Sequence, residues 1–597
     1  MTDIAMTACD TPTRDTAACD AVTLEIIRGA VRAAQAEMEA LLERTAISAF
    51  IREKKDFYTA LFDEDGVMAV GSNVPIFGDI CGPVFERFPI GTVRPGDLYW
   101  YNDCYGSRGA VSHSNDQVFL APVFHEGRRC AFVMGWAHFS DIGGLRPGSI
   151  SPDATDIFQE GIIIPPTKLI AAGVVNTAAL EIFYRNSRYP ATCRGDTRAL
   201  MASVELGVRR MSELAARFQP PVLADALRQL LARTETLVRR RLRETFPVGT
   251  HRFTDAIDGD GHGSGPLHIR LALTRTADDR FIFDASDTDD QAPGPVNYLM
   301  NKDVPGTAFA LYFLGGDPSQ VCNAGGARAF DEVILREGSL LRPRFPAPLG
   351  MRGMTMMRVL AALNGLVNAA GTPAPAAHAA YVILLLRGQA GGRPFLLSDG
   401  IGVGYGARPD ADGLDAVYFV AQENYPVEFL ELGYPVLLNT YGIHRDSGGP
   451  GAHRGGCGIV REYEILAEDA VLAIRMDGVT NPPWGAAGGL SGGPPRAVVN
   501  PGTPGERVLA PLPDGNRLQR GDVLRIETGG GGGRGDPFER DPDLVLRDVE
   551  EGYVSAEAAL RRYGVVVRDG AVDVAATGAA RGRPAAVSRM GHADALT

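Results

Sequence analysis

Lysine is scarce in this chain: its 597 residues include only Lys54, Lys55, Lys168 and Lys302. None of them follows a glycine, so the sequence carries no Walker A loop for nucleotide phosphates. There is no long basic run, and the formal net charge is −13. That balance excludes a nucleic-acid binder and a protein held on anionic membranes. The eight cysteines (Cys9, Cys19, Cys81, Cys104, Cys130, Cys193, Cys322 and Cys457) are scattered without a CxxC pair. Neither a disulfide framework nor a zinc ribbon fits that spacing. The first 20 residues have no basic start and no apolar segment, so they do not read as a secretory signal. The longest apolar run, AAYVILLL (379–386), falls short of the about 20 residues needed to cross a bilayer. A cytoplasmic protein with reduced thiols, no membrane segment and no nucleic-acid partner is expected.

What is present is ordinary for a folded protein: 45% hydrophobic and 22% charged residues. The length suggests three or four domains at about 150 residues each. Glycine (72) and proline (40) are abundant, which favours tight turns and irregular connections over a helical bundle.

Periodicity divides the chain. Residues 1–20 are small and polar and are expected to form a disordered leader. Ile27, Val31, Ala34, Met38 and Leu41 recur at steps of three and four, predicting an amphipathic helix. DFYTALFD, EDG and VMAVGS predict a β-hairpin. RPGD (94–97) turns the chain into the strand LYWYN. A second hairpin joins QVFLAPVF (117–124) to RCAFVMGWAHF (129–139) through His125, Glu126 and Gly127. Residues 145–170 read as a long loop, and helices return at about 196–217 and 222–246. From 250 onward short strands dominate, with one apolar helix expected near 374–387. The fold class is mixed α+β: an α+β region over 21–195, a helical segment over 196–248 and a β-rich region over 249–528. A glycine-rich turn and helical tail follow over 529–567, and 568–597 are expected to be disordered.

Three side chains in this pattern suit a metal. With the hairpin turn centred near Glu126 and Gly127, paired residues have numbers summing to about 253. His113 then lies opposite about residue 140 and Asp116 opposite about residue 137. His113, Asp116 and His138 therefore collect at the open end of one antiparallel pair, on strands about 4.8 Å apart. Two imidazoles and a carboxylate suit Zn, Mn or Fe. The alternative is a set of satisfied polar residues at a strand end.

Other motifs carry less. RDSGGPG (445–451) has the look of a serine-protease nucleophile at Ser447, but no matching histidine region precedes it, and it reads as a glycine turn. The glycines at 529–533 suit a close backbone approach better than a phosphate cradle. His262 and His268 read as structural. Cys104 lies near the candidate site without a partner base.

Several long segments in order carry a resemblance. They include REKKDFYTALFDEDG (52–66), RPGDLYWYND (94–103), HFSDIGGLRPGS (138–149) and PDATDIFQEGIIIPPTKL (152–169). RGDTRALMAS (194–203), DSGGPGAHRGGCGIVREY (446–463) and NPPWGAAGG (481–489) follow, and the series closes with the stretch 529–567. Together they resemble the hydantoinase B/oxoprolinase family: B-type subunits of ATP-dependent hydantoinase, 5-oxoprolinase and caprolactamase, related to acetone and acetophenone carboxylase subunits. The chain departs from the family's common pattern at Cys104, where proline is usual, and in GAVSHSND (109–116), which keeps the His and Asp spacing.

The resemblance implies one divalent ion, Zn, Mn or Fe, held by Asp56, His113, Asp116 and His138. Asp103 and Asp141 are candidate catalytic residues, each as a base or as an orienter of a histidine ligand, with Asp141 read equally well as a turn residue before Gly143 and Gly144. It further implies a hetero-oligomer. In it a hydantoinase A-type partner holds ATP and Mg and phosphorylates a lactam, imide or ketone. The function it implies is hydrolysis of a cyclic amide C–N bond after that phosphorylation. The alternatives are the equivalent subunit of an ATP-dependent ketone carboxylase and a non-catalytic structural partner.

Overall fold

A computed structural model describes residues 18–71, 78–313, 321, 323–419, 422–512 and 514–582. The fold is mixed α and β, with helices concentrated before residue 250 and strands predominating after it. Helix α1 (Ala21–Thr45) begins where the Asp20 carboxylate accepts from the Val22 and Thr23 amides, satisfying two donors that the helix itself cannot. Its buried stripe is Ile27, Val31, Ala34, Met38 and Leu42, one position on from the expected Leu41. Each such large apolar side chain contributes about 1.5–3 kcal/mol on full burial.

The stripe packs on a seven-stranded antiparallel sheet of order β2-β1-β5-β4-β3-β6-β7. Its strands are β1 (Phe57–Phe62), β2 (Met68–Gly71), β3 (Leu98–Tyr101), β4 (Asp116–His125), β5 (Arg128–His138), β6 (Thr167–Ala171) and β7 (Val174–Val175). The expected 145–170 loop therefore ends in β6, one strand in from the far edge of this sheet.

Both faces of the sheet are covered, and the two-residue period of a strand decides which side chain goes where. Leu61, Trp100, Phe119 and Val133 join α1, α2 (Pro190–Phe218) and the start of α3 (Pro220–Thr245) in one core. Tyr58, Tyr99, Val118, Leu120, Met134 and Trp136 face the other way, toward the middle of the molecule. That second core includes helix α4 (Arg352–Ala369), buried on nearly every face. It also includes the four-stranded sheet over Gly249–Ile257, Leu267–Arg275, Phe281–Asp284 and Glu332–Ile334.

Helix α4 was not expected, and the helix expected near 374–387 does not form: Val382–Ala390 is a strand paired with Arg393–Ile401. A helix buried all round shows no apolar stripe for periodicity to find. A short apolar run is equally ambiguous between a buried strand and a helix.

Two further antiparallel sheets build the C-terminal region, and Pro542–Glu550 and Ala556–Tyr563 form the helical tail. Order extends beyond 568, through a small hairpin and the helix Val574–Arg581. Residues 1–17 of the expected leader and 583–597 of the expected tail lie outside the described residues. No described helix is long and apolar enough to cross a membrane, and six described cysteines, Cys104 among them, are free and buried.

Candidate metal centre

The site is built on the β4–β5 hairpin. Its two-residue turn, Glu126 and Gly127, has positive φ at both positions (48° and 78°), the turn whose twist matches antiparallel strands. Next to the turn the register sums to 253, as expected (His125↔Arg128, Phe124↔Arg129). A bulge between Val123 and Phe124 then shifts it by one, so that Asp116 lies directly opposite His138. On the other side of β5, Phe57 pairs with Ala137, and the His138 amide donates to the Asp56 carbonyl at 3.1 Å. Asp56, His138 and Asp116 thus form one row across three neighbouring strands. They share the parity of Tyr58, Trp136 and Val118 and so face the inner core. His113 joins them from the turn before β4, where the Asp116 amide donates to the His113 carbonyl at 3.2 Å.

His113, Asp116 and His138 each offer one donor atom within 4.8 Å of the others. All three are buried, and the two imidazole rings stack with centroids 4.9 Å apart. His113 Nδ1 lies 2.7 Å from Asp116 Oδ2, and His138 Nδ1 lies 3.5 Å from Asp116 Oδ1. Close as they are, His113 Nδ1, both Asp116 oxygens and His138 Nε2 are buried without an aligned hydrogen-bond partner among the described residues. A buried polar atom left unsatisfied costs about 1–3 kcal/mol, more if charged. Four together, on residue types that ligate divalent ions, fit a shared ion.

The electrostatics favour lone-pair donors. Burial and the nearby Arg352 guanidinium push His113 down to about 3, so its imidazole is neutral at physiological pH. Burial pushes the Asp116 carboxyl up, but His113, His138 and Arg352 outweigh it and hold it at about 2. Asp56 lines the same recess, with its carboxyl raised by burial and drawn back by His138 and Arg352.

The surroundings fix these groups. The Phe50 ring sits 4.5 Å from the His138 ring. Arg352, the first residue of α4, donates from Nε to Ser112 Oγ at 2.8 Å and places Nη2 3.5 Å from Asp116 Oδ2. Its approach is held by buried Glu160, which accepts from the Leu349 and Gly350 amides. Burial pushes the Glu160 carboxyl up to about 8 against the pull of those amides. The sequence reading missed Arg352 and Glu160: each is brought here by long-range packing, with no local spacing to flag it.

The two other expected site residues are placed elsewhere. Asp103 accepts from the Gly106 amide at 2.8 Å in a turn and does not line the recess. Asp141, fully buried, accepts from the Gly148 amide (2.9 Å), the Arg188 amide (2.8 Å) and Arg188 Nη1 (2.9 Å). Those contacts occupy its oxygens and tie the segment after His138 to the start of α2. The Cys104 thiol is pushed far above its usual range by burial. Ser447 Oγ donates to the His444 carbonyl at 2.6 Å rather than to an imidazole ring. His268 pairs with Asp289 at 3.0 Å.

The family model for hydantoinase B/oxoprolinase matches residues 20–537. The chain belongs to that family. It is 29% identical to the putative B-type subunit of a D-/L-hydantoinase from Pseudomonas sp., over 92% of this chain and 96% of that one. It superimposes on the crystal structure of the ATP-dependent caprolactamase of Pseudomonas jessenii with a TM-score of 0.84 and 26% identity, covering 94% of this chain and all of that one. The nucleotide-free structure of an ATP-dependent acetone carboxylase matches at a TM-score of 0.81 and 20% identity, over 94% of this chain and 82% of that one. At that identity the likeness is one of fold.

Proposed function

We propose that this chain is the metal-dependent B-type subunit of an ATP-dependent cyclic amidohydrolase. It opens a hydantoin, oxoproline or related lactam after an A-type partner, holding ATP and Mg, has phosphorylated the ring. The observation that carries the reading is the set of unpartnered buried donor atoms on His113, Asp116 and His138. With Asp56 beside them, these residues would hold one Zn, Mn or Fe ion, a choice that two imidazoles and carboxylates favour over Mg or Ca.

When bound, the ion supplies Lewis acidity and a water acidic enough to attack at neutral pH. The chain's own residues prepare the recess for that chemistry. Burial keeps His113 an unprotonated donor, and Arg352 holds the Asp116 carboxylate charged and oriented. Phe50 packs its ring against His138 in a tilted contact, with centroids 4.5 Å apart. Lys55 stands at the recess, paired with Glu423 at 2.8 Å.

The test is reconstitution with the A-type partner, ATP and Mg, presenting hydantoin, 5-oxoproline and caprolactam. ATP-dependent ring opening without bicarbonate supports the hydrolase. Product that forms only with bicarbonate, from a ketone, overturns it in favour of a carboxylase. Full activity from a metal-free chain would make it a structural partner instead.

A further inference from the structure

Six arginines are buried among the described residues: Arg352, Arg358, Arg454, Arg461, Arg475 and Arg540. Five of them face a carboxylate. Arg358 meets Asp477 at 2.7 Å, Arg454 meets Asp415 at 2.9 Å and Arg461 meets Asp399 at 2.6 Å. Arg540 meets Asp412 at 2.7 Å, and Arg352 lies 3.5 Å from Asp116. Arg475 is the exception. It is 4% exposed, yet its Nε and Nη2 have no hydrogen-bond partner among the described residues. It ends the strand Asp469–Arg475, beside Ile383 of the next strand, and its side chain lines the same recess as His113, His138 and Arg352.

A guanidinium does not shed its proton to escape burial as a lysine can. Burial pulls Arg475 down only to about 10, so it stays charged at neutral pH. Tyr381 and Tyr418 flank it without supplying a negative charge there. The two carboxylates of the recess, Asp56 and Asp116, are those a divalent ion would neutralise. With those two carboxylates spent on the ion, Arg352 and Arg475 leave two positive charges in the recess, and Arg475 brings a planar fork of donors that lines the cavity. Such a fork matches the paired oxygens of a carboxylate or a phosphoryl group.

We propose that Arg475, with Arg352 beside it, forms an oxyanion subsite that seats the carboxylate or phosphoryl group of the reacting molecule next to the metal ligands. The proposal rests on the reading of this recess as the reaction site, and it narrows the substrate to an anionic molecule. An unphosphorylated neutral lactam does not fill the subsite; a phosphorylated ring or an acidic one does.

The test uses the purified full chain, with metal content measured on every sample. Thermal melts are recorded against inorganic phosphate, acetate and bicarbonate, each referenced to chloride at equal ionic strength. The wild type is expected to melt progressively higher with at least one oxyanion. Arg475→Met should lose the response, with apparent affinity at least 10-fold weaker, and should melt no lower than wild type when no oxyanion is present. Arg475→Lys, which keeps the charge but not the fork, should respond weakly. A stronger response to phosphate assigns a phosphoryl group; a stronger response to acetate or bicarbonate assigns a carboxylate or carbonate. No response in the wild type, or an equal response in Arg475→Met, overturns the proposal. So does an Arg475→Met chain that fails to fold while Arg475→Lys responds as fully as wild type. Because a guanidinium binds an anion without the ion, a chain lacking metal but responding through Arg475 sinks only the metal reading.

Discussion

Two regions of this molecule are dense in unusual residues, and they use them in opposite ways. At the end of the β4–β5 hairpin, polar atoms are buried and left without hydrogen-bond partners. In the glycine-rich seam, where 446–456, 484–493 and 529–534 meet, the backbone itself is what packs. A Cβ at Gly530 would lie 1.9 Å from the Ser447 oxygen, at Gly531 2.2 Å from the Tyr405 carbonyl, and at Gly532 2.0 Å from the Trp484 oxygen. The seam's amides are paired across it: Gly531 donates to Gly456 at 2.9 Å and Gly532 to Ala377 at 2.8 Å. At the hairpin end, side-chain donor atoms converge without partners among the described residues; in the seam, the glycine amides find theirs across the interface. The difference lies in satisfaction, not in how rare the motif looks in the sequence.

That contrast can be broken at graded cost. Asp116→Ala should empty the metal centre and lower turnover of the assembled enzyme at least about 100-fold, the scale on which even an outer-shell partner of a metal acts. Steady-state assay with the A-type partner reads it, and the folded chain's melting profile should survive. Gly531→Ala should do the reverse, destabilising by about 3 kcal/mol through overpacking against backbone that cannot move aside. Denaturant titration measures that loss, and the remaining folded protein should keep its metal.

Asp141→Ala sharpens the line between the regions. It strands the Arg188 and Gly148 amides that the carboxylate satisfies, and should cost about 2–3 kcal/mol. Metal content should stay at the wild-type level; its loss would mean Asp141 positions a ligand directly. Gly127→Ala, at φ 78° with open space around the Cβ, should cost only about 1–2 kcal/mol. Thermal melts check it, and a larger loss would mean that the turn, rather than the packing of both sheet faces, sets the hairpin register.

Much of the candidate site was legible because hairpin register is local arithmetic. His113, Asp116 and His138 could be brought together by counting back from Glu126 and Gly127. The one-residue slip came from the bulge at Val123 and Phe124, which alternation does not reveal. Asp56 came from the family resemblance alone, and the sheet order β2-β1-β5-β4 gives the physical reason it belongs in the row. Arg352, Glu160 and Arg475 were illegible, since nothing in a sequence says that residues 352 and 475 end up lining one recess with residues 113 and 138. Helix α4 escaped for the same reason that it matters: buried on nearly every side, it has no exposed polar face to set its period.

The most direct measurement is the metal content of the purified chain by elemental analysis, beside a His138→Ala variant that still folds. About one equivalent of Zn, Mn or Fe per wild-type chain is expected, as for a single ligand set that keeps a position open to water, together with its loss in the variant. A wild-type chain that stays metal-free after supplementation, or a variant that binds the ion as well as wild type, would contradict it.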